Sequence, residues 1–390
     1  MIGAKYRFIA RLITSITLVI CSNALAATFI PLGDIPGGNI ASNAYDLSGD
    51  GSVVVGIGDI FEYPYFGSGG QQAFRWTSDG GMTGLSFLPN GSSSSAQGIS
   101  ADGSTVVGSS NIGGSDNNAF IWTVEDGFVS LGDLPGGRET SSAWGASADG
   151  SVVVGFGQTN LGNRAFRWTE ATGMVSLGLL PDGRRDTFAR GVSDDGNVVA
   201  GYSFGNGSTQ AFRWNEATGM VGLGSLPGGN GQSGLGDISS DGNVIVGYSK
   251  TALGQEAMRW TSEEGMVGLG ELSGSLHVSS ALGVSADGSV IVGSSKTEEL
   301  EEAFVWTAED GMLRLEDILL SAGVTGFDGW TLKTLSGVSD DGSIVAGTGI
   351  NPDGFSEAFL ANITPVPIPP AVWLFGSSLG LLSWMRRKQA

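Results

Sequence analysis

The 390-residue chain holds 66 glycines, one cysteine and one histidine, and 39 acidic residues against 19 basic ones give a formal net charge of −20. That charge repels phosphate backbones and argues against nucleic-acid partners. Cys21 and His277 alone cannot build a disulfide scaffold, a common zinc site or a catalytic triad. A Gly-rich composition with 41% hydrophobic residues suits many short strands joined by tight turns around a filled core.

At the N-terminus, Lys5, Arg7 and Arg11 precede an apolar run over residues 12–21, and Ala24-Leu25-Ala26 supplies the small-x-small pattern a signal peptidase accepts. This order predicts an export signal over residues 1–26, cleaved after Ala26. Lipidation at Cys21 is the alternative, but Ile20 stands where that processing takes a small residue.

Residues 27–363 form the body, and it is repetitive. Ala73-Phe74-Arg75-Trp76 returns as Ala119-Phe120-Ile121-Trp122, Ala165-Phe166-Arg167-Trp168, Ala211-Phe212-Arg213-Trp214, Ala257-Met258-Arg259-Trp260, Ala303-Phe304-Val305-Trp306 and a degenerate Ala358-Phe359-Leu360-Ala361. The first six copies stand 46 residues apart at every step, and the seventh follows after 55. Asp-Gly before a β-branched run begins at Asp50, Asp102, Asp149, Asp195, Asp241, Asp287 and Asp341. Leu-Gly-x-Leu-Pro-Gly-Gly, or a relic of it, begins at Leu32, Leu85, Leu131, Leu177, Leu223, Leu269 and Leu315.

Each marker has a physical reading. Asp149-Gly150 predicts a tight hairpin turn with both residues at positive φ, joining Gly145-Ala146-Ser147 to Val152-Val153-Val154-Gly155. Ala165-Phe166-Arg167-Trp168 is a third strand, with Phe and Trp on one face, and Met174-Val175-Ser176-Leu177 a fourth. Four antiparallel strands in about 46 residues is the size of a propeller blade. No unit stands alone, because burying one large aromatic contributes about 1.5–3 kcal/mol while ordering each residue costs about 1–2 kcal/mol. The phase of the units predicts a ring. Thr28-Phe29-Ile30-Pro31-Leu32-Gly33 reads as a fourth strand without its first three, and residues 358–363 as a third strand without its fourth. Their pairing would hide both open edges. The expected fold is all-β, a seven-bladed β-propeller of four-stranded antiparallel blades whose N-terminal strand closes the last blade.

The repeated Ala-Phe-Arg-Trp-Thr, Gly-Met-Val-x-Leu-Gly-x-Leu-Pro-Gly-Gly and Asp-Gly-Ser-Val-Val-Val-Gly segments are similar to the HAF repeat of extracellular bacterial proteins. The resemblance implies an exported protein frequently coupled to a C-terminal sorting signal, and it carries no activity.

Other motifs admit simple readings. The Asp-Gly loops lack the spaced oxygen ligands of calcium-binding repeats. Arg75, Arg167, Arg213 and Arg259 alternate with Ile121 and Val305 at one repeat position, which suits a partly covered strand face rather than a charged site. The run over residues 298–302 reads as a solvated loop, and His277 as an exposed loop residue. Phe61, Tyr63, Tyr65 and Phe66 in the first long loop, with Phe327 and Trp330 in the last interval, are candidate sugar or protein contacts. The alternative is that they cover the closure between first and last blades.

At the C-terminus, Val366-Pro367-Ile368-Pro369-Pro370 precedes an apolar stretch of residues 371–385 and the basic Arg386-Arg387-Lys388. The stretch is short for a bilayer span, and the basic cluster would stop transfer. Within a C-terminal tail over residues 364–390, residues 366–388 resemble the PEP-CTERM sorting signal in a Val-Pro-x-Pro form, with Ile368 where that family most commonly has Glu. The resemblance implies a sorting enzyme at the inner membrane, with a simple tail anchor as the alternative. The six basic residues of the two ends leave 13 in the body against all 39 acidic ones, a net charge of −26.

No catalytic residue, metal or cofactor is expected. The reading is a secreted or cell-surface module, structural or binding, that is linked to exopolysaccharide, biofilm matrix or envelope proteins. A propeller-type glycosidase or lyase using loop carboxylates is one alternative, and an envelope protein–protein scaffold is another.

Overall fold

A computed structural model describes residues 27–38, 41–60, 70–113, 116–182, 185–205, 207–298 and 300–364. The predicted export signal and the sorting tail lie outside them. In the third repeat, Ser141–Ala146, Val153–Thr159, Gly162–Thr169 and Gly173–Ser176 pair antiparallel in that order. Val153 and Val154 are both fully buried although they point to opposite faces, because each sheet is covered on both sides by its neighbours.

Among the described residues the strands form five four-stranded sheets and one of eight. The eight-stranded sheet is two four-stranded sets joined by a single parallel pairing of Gln255 with Val278. Seven sets result, and every core cluster lies between two of them. Phe166, for example, packs with Val107, Ala119 and Leu131 of the preceding set and with Leu134 of the connecting segment. Phe74, Phe120, Phe166, Phe212, Met258, Phe304 and Phe359 occupy this position in turn, all fully buried.

The ring closes in three ways. Thr28–Pro31 pairs antiparallel with Ser356–Asn362, Thr28 opposite Asn362 and Pro31 opposite Phe359, and completes the last sheet. Pro31 is tolerated there because the strand is an edge. Clusters around Phe29 with Phe359, and around Phe74 with Ala358, bind the two ends of the body together. Backbone hydrogen bonds also run from set to set. The Gly49 N–H donates to the Ala101 carbonyl (2.9 Å), Asp102 to Ala148 (3.0 Å), Ala148 to Asp194 (3.2 Å) and Asp194 to Ser240 (2.9 Å). Ser240 then donates to Ala286 (3.2 Å), Ala286 to Asp340 (3.2 Å) and Asp340 back to Gly49 (2.8 Å). The series ends on the residue where it began.

Buried hydroxyls staple neighbouring sets. The Ser141 hydroxyl donates to the Gly132 carbonyl (2.6 Å) and accepts from the Ala119 N–H (3.0 Å). Ser42 does the same across the closure, to Gly33 (2.8 Å) and from Ala358 (3.1 Å).

Several expectations are corrected. Only the glycine of each Asp-Gly pair has positive φ, as at Gly150 (70°), and the aspartate is instead an acceptor inside the turn. Asp149 Oδ1 takes bonds from the Ser147 hydroxyl (3.0 Å) and the Ser151 N–H (2.9 Å), while the Val152 N–H donates back to the Ser147 hydroxyl (3.0 Å). The strand before this turn therefore stops at Ala146, since Ser147 belongs to the turn. The relic beginning at Leu315 is a helix, Leu315–Ser321, because it has lost the Gly and Pro that break the other copies. Leu315 and Leu319, one turn apart, fill the wide last interval. Glu301 and Glu302 are not a solvated loop but the start of the strand Glu301–Thr307. His277 lies in the irregular strand Ser275–Val284 at φ 58°.

Candidate functional site

The first strands of the seven sets are Ser42–Leu47, Ser94–Ile99, Ser141–Ala146, Asp186–Val192, Ser233–Ile238, Ser275–Val284 and Thr331–Val338. Together they line a central cavity of about 600 Å³. One repeat position faces it from every set: Tyr45, Gln97, Trp144, Arg190, Gly236, Leu282 and Ser336. These seven residues differ from set to set, whereas the serine three positions later (Ser48, Ser100, Ser147, Ser193, Ser239, Ser285, Ser339) is the same in all.

The next position is Gly98, Gly145, Gly191, Gly283 and Gly337 in five sets and Asp46 and Asp237 in two. A Cβ on Gly145 would fall 2.7 Å from the Arg190 carbonyl of the neighbouring strand, so close packing of the inner strands favours glycine. The two aspartates fit by bonding to backbone. Asp46 accepts from the N–H groups of Leu47 (2.8 Å) and Ile99 (3.0 Å), and Asp237 from those of Ile238 (2.7 Å) and Val284 (3.1 Å). Each carboxylate therefore ties its set to the next. Burial lifts the Asp46 pKa to about 7, helped by the charge of Asp237 and opposed by the two N–H bonds. Burial likewise lifts Asp237 to about 6, with its backbone bonds and Arg190 pulling it down.

Beside the cavity lies an aromatic cluster that reaches the wall through Trp144. Trp144 packs on Phe156 (centroids 5.0 Å apart) and lies nearly parallel to Phe188 (6.0 Å, 17°). Phe188 in turn meets Phe156 edge-on (5.1 Å) and stacks on Tyr202 (5.1 Å, 22°). The Arg190 guanidinium sits 5.2 Å over the Trp144 ring, at cation–π distance.

The residues singled out in the sequence lie elsewhere. Phe61, Tyr63, Tyr65 and Phe66 fall outside the described residues, as do Ala24, Ala26, Val366, Pro367, Pro369, Arg386, Arg387 and Lys388. Trp330 is half-buried with its ring edge-on to Phe29 (5.1 Å, 74°), and Phe327 packs on the same Phe29 (5.9 Å). Both belong to the cluster that seals the first strand to the last sheet, and neither lines the cavity. Two of the repeated arginines link sets: Arg167 Nε donates to the Gly196 carbonyl (3.0 Å) and Arg213 Nε to that of Gly242 (3.3 Å), whereas Arg259 pairs with Glu264 (2.9 Å). His277 Nδ1 is 2.9 Å from the Glu271 carboxylate. Among the described residues no three His, Cys, Asp or Glu side chains gather as a metal-ligand set, and no helix is long and apolar enough to cross a membrane. Sequence reading missed Trp144, Arg190, Asp46 and Asp237. The available signal was the first-strand positions at which otherwise uniform repeats disagree.

Comparison of the sequence with protein-family models and with curated proteins finds no match. In fold the chain is similar to an oligogalacturonate lyase from Vibrio parahaemolyticus, with TM-score 0.52 and 13% identity over 87% of this chain and 98% of that one. It is similar also to the β-propeller domain of the trilobed protease from Pyrococcus furiosus, described as having an open velcro topology (TM-score 0.50, 12% identity, 84% and 100% covered). A third likeness is to a prolyl endopeptidase (TM-score 0.53, 13% identity, 85% of this chain), of which the chain spans about half, 51%. These likenesses establish the fold, a β-propeller of four-stranded antiparallel blades, here closed by its N-terminal strand.

Proposed function

We propose that this β-propeller is an exported, non-enzymatic binding module that engages exopolysaccharide of the cell surface or biofilm matrix. The observation that carries the reading is the axial cavity, where one side-chain position changes in every blade while the framework around it repeats. A framework repeated for packing has no need of such variety, and a site does. The ends of the chain support export and retention: a basic, apolar and small-residue start, and a Val-Pro-x-Pro segment followed by an apolar stretch and Arg386-Arg387-Lys388. On this reading a sorting enzyme of the inner membrane reads the tail, and the body acts in the periplasm, on the outer surface or beyond. The test is retention of the purified body, residues 27–363, on immobilised matrix polysaccharide of the producing cell. Saturable retention is expected, and none at all would contradict the proposal.

One observation favours a second reading, a carbohydrate-active enzyme. Asp46 and Asp237 are two acids in one cavity, at a position that is glycine in the other blades, with pKa values of about 7 and about 6. Both oxygens of each carboxylate already accept a backbone N–H, which assigns them to joining blades. Release of reducing ends from matrix polysaccharide, abolished in Asp46→Asn or Asp237→Asn, would favour the enzyme.

A further inference from the structure

We propose that the arc formed by Trp144, Phe156, Phe188, Tyr202 and Tyr248, with Arg190, binds neutral pyranose units of a polysaccharide chain. The inference rests on the binding-module reading and names its ligand and its place.

Comparison of the blades sets the arc apart. The residue after the second-strand glycine is aromatic in three consecutive blades, Phe156, Tyr202 and Tyr248, and Ile57, Ser109, Ser294 or Thr348 in the others. The blade framework closes without rings at this position, so packing alone does not require them. They nonetheless remain half-exposed, as do Trp144 and Phe188, and the Trp144–Phe188–Tyr202 contacts join them into one apolar surface spanning two blades. In the next blade Tyr248 lies over Gly234, where any Cβ would strike the phenol ring. Arg190 is exposed and lies over the Trp144 face at the cavity edge.

The remainder of the wall mixes polar residues, among them Asn43, Gln97, Asp46 and Asp237, with aliphatic ones such as Ile99, Leu282 and Val284. A surface with an aromatic side and a side rich in hydrogen-bond acceptors matches a sugar ring, which has apolar C–H faces and a hydroxyl rim. The cavity, about 600 Å³, is within the usual range for small-ligand pockets. Charge selects a neutral chain. The body carries a net −26, and five acidic residues (Asp46, Asp194, Asp237, Asp340 and Glu301) line the cavity against Arg190 and Lys333, so a polyanion meets repulsion at long range and at contact.

The experiment is calorimetric titration of the exported protein with cellohexaose, maltohexaose and laminarihexaose, and with hexagalacturonate as the anionic counterpart. At least one neutral hexasaccharide is expected to bind saturably and more tightly than hexagalacturonate. Trp144→Ala and Tyr202→Ala are expected to weaken it at least ten-fold. Arg190→Ala, an exposed change that leaves the core untouched, is expected to weaken it several-fold. Absence of binding to all three neutral probes, tighter binding of hexagalacturonate, or wild-type affinity in both Trp144→Ala and Arg190→Ala would overturn the proposal. Retention of Trp144→Ala on matrix polysaccharide at the wild-type level would overturn this site while leaving the binding-module reading intact. Failure of the wild-type protein to be retained would end both.

Discussion

Ser86 has φ 79° at a turn position where Gly33 (72°), Gly132 (72°), Gly178 (86°), Gly224 (78°) and Gly270 (79°) stand in other repeats. An L residue in the left-handed region carries about 1–2 kcal/mol of strain, part of which glycine returns as unfolded-state entropy. Ser86→Gly is therefore expected to stabilise the protein by about 1 kcal/mol, seen as a higher denaturant midpoint at unchanged slope. A lower midpoint would contradict this. Two kinds of aspartate act oppositely on pH. The turn aspartates, such as Asp149 and Asp341, are held below their ordinary value by serine and N–H bonds. Their stabilisation is present above the unfolded value and is lost as pH falls through the folded one. Asp46 and Asp237 are raised from 3.8 to about 7 and about 6, so the folded protein binds these protons more tightly than the unfolded chain does. Their contribution is greatest below the unfolded value and declines as pH rises through the folded ones. The expected stability maximum is in mild acid, near pH ~4–5, with a decline toward pH ~7. Urea unfolding across this range checks it, and stability rising steadily from pH 4 to 8 would contradict it.

At the scale of the element, the hydroxyl staples distinguish this repeat from a merely hydrophobic stack. Ser233 is fully buried, donates to the Gly224 carbonyl (2.6 Å) and accepts from the Ala211 N–H (3.0 Å). Ser233→Ala leaves both backbone groups unpaired between two blades and is expected to cost about 1–3 kcal/mol. Calorimetric melting reads this as a lower Tm, and an unchanged Tm would remove the staple from the account. The strands themselves were legible because Ala-Phe-Arg-Trp and the β-branched runs recur at fixed spacing, and burial on both faces leaves a strong apolar pattern. The turn geometry was not, since Asp-Gly permits several turns and the choice depends on a serine two residues upstream of the aspartate. The staple was also missed, although Ser141, Thr187, Ser233 and Ser279 each follow the matching alanine by 22 residues. The helix Leu315–Ser321 escaped notice because a decayed repeat still resembles its parent in position.

For the whole molecule, ring closure was legible from the phase of the repeats, since an unmatched first strand and an incomplete last sheet imply each other. The candidate site was much less so. Trp144, Phe188 and Tyr202 are separated by dozens of residues and meet only because consecutive blades stack around an axis. The loop aromatics drew attention by local density, while the arc gathers single residues from several blades. Closure is the premise on which the central cavity and the set-to-set series of backbone hydrogen bonds depend, because each needs the first blade beside the last. The direct test is thermal unfolding of the body, residues 27–363, lacking Thr28–Pro31, the strand that places Phe29 among Phe327, Trp330 and Phe359. Loss of one such ring costs about 3–5 kcal/mol, so Tm is expected to fall by on the order of 10 °C. Melting at the wild-type temperature would contradict the closed ring.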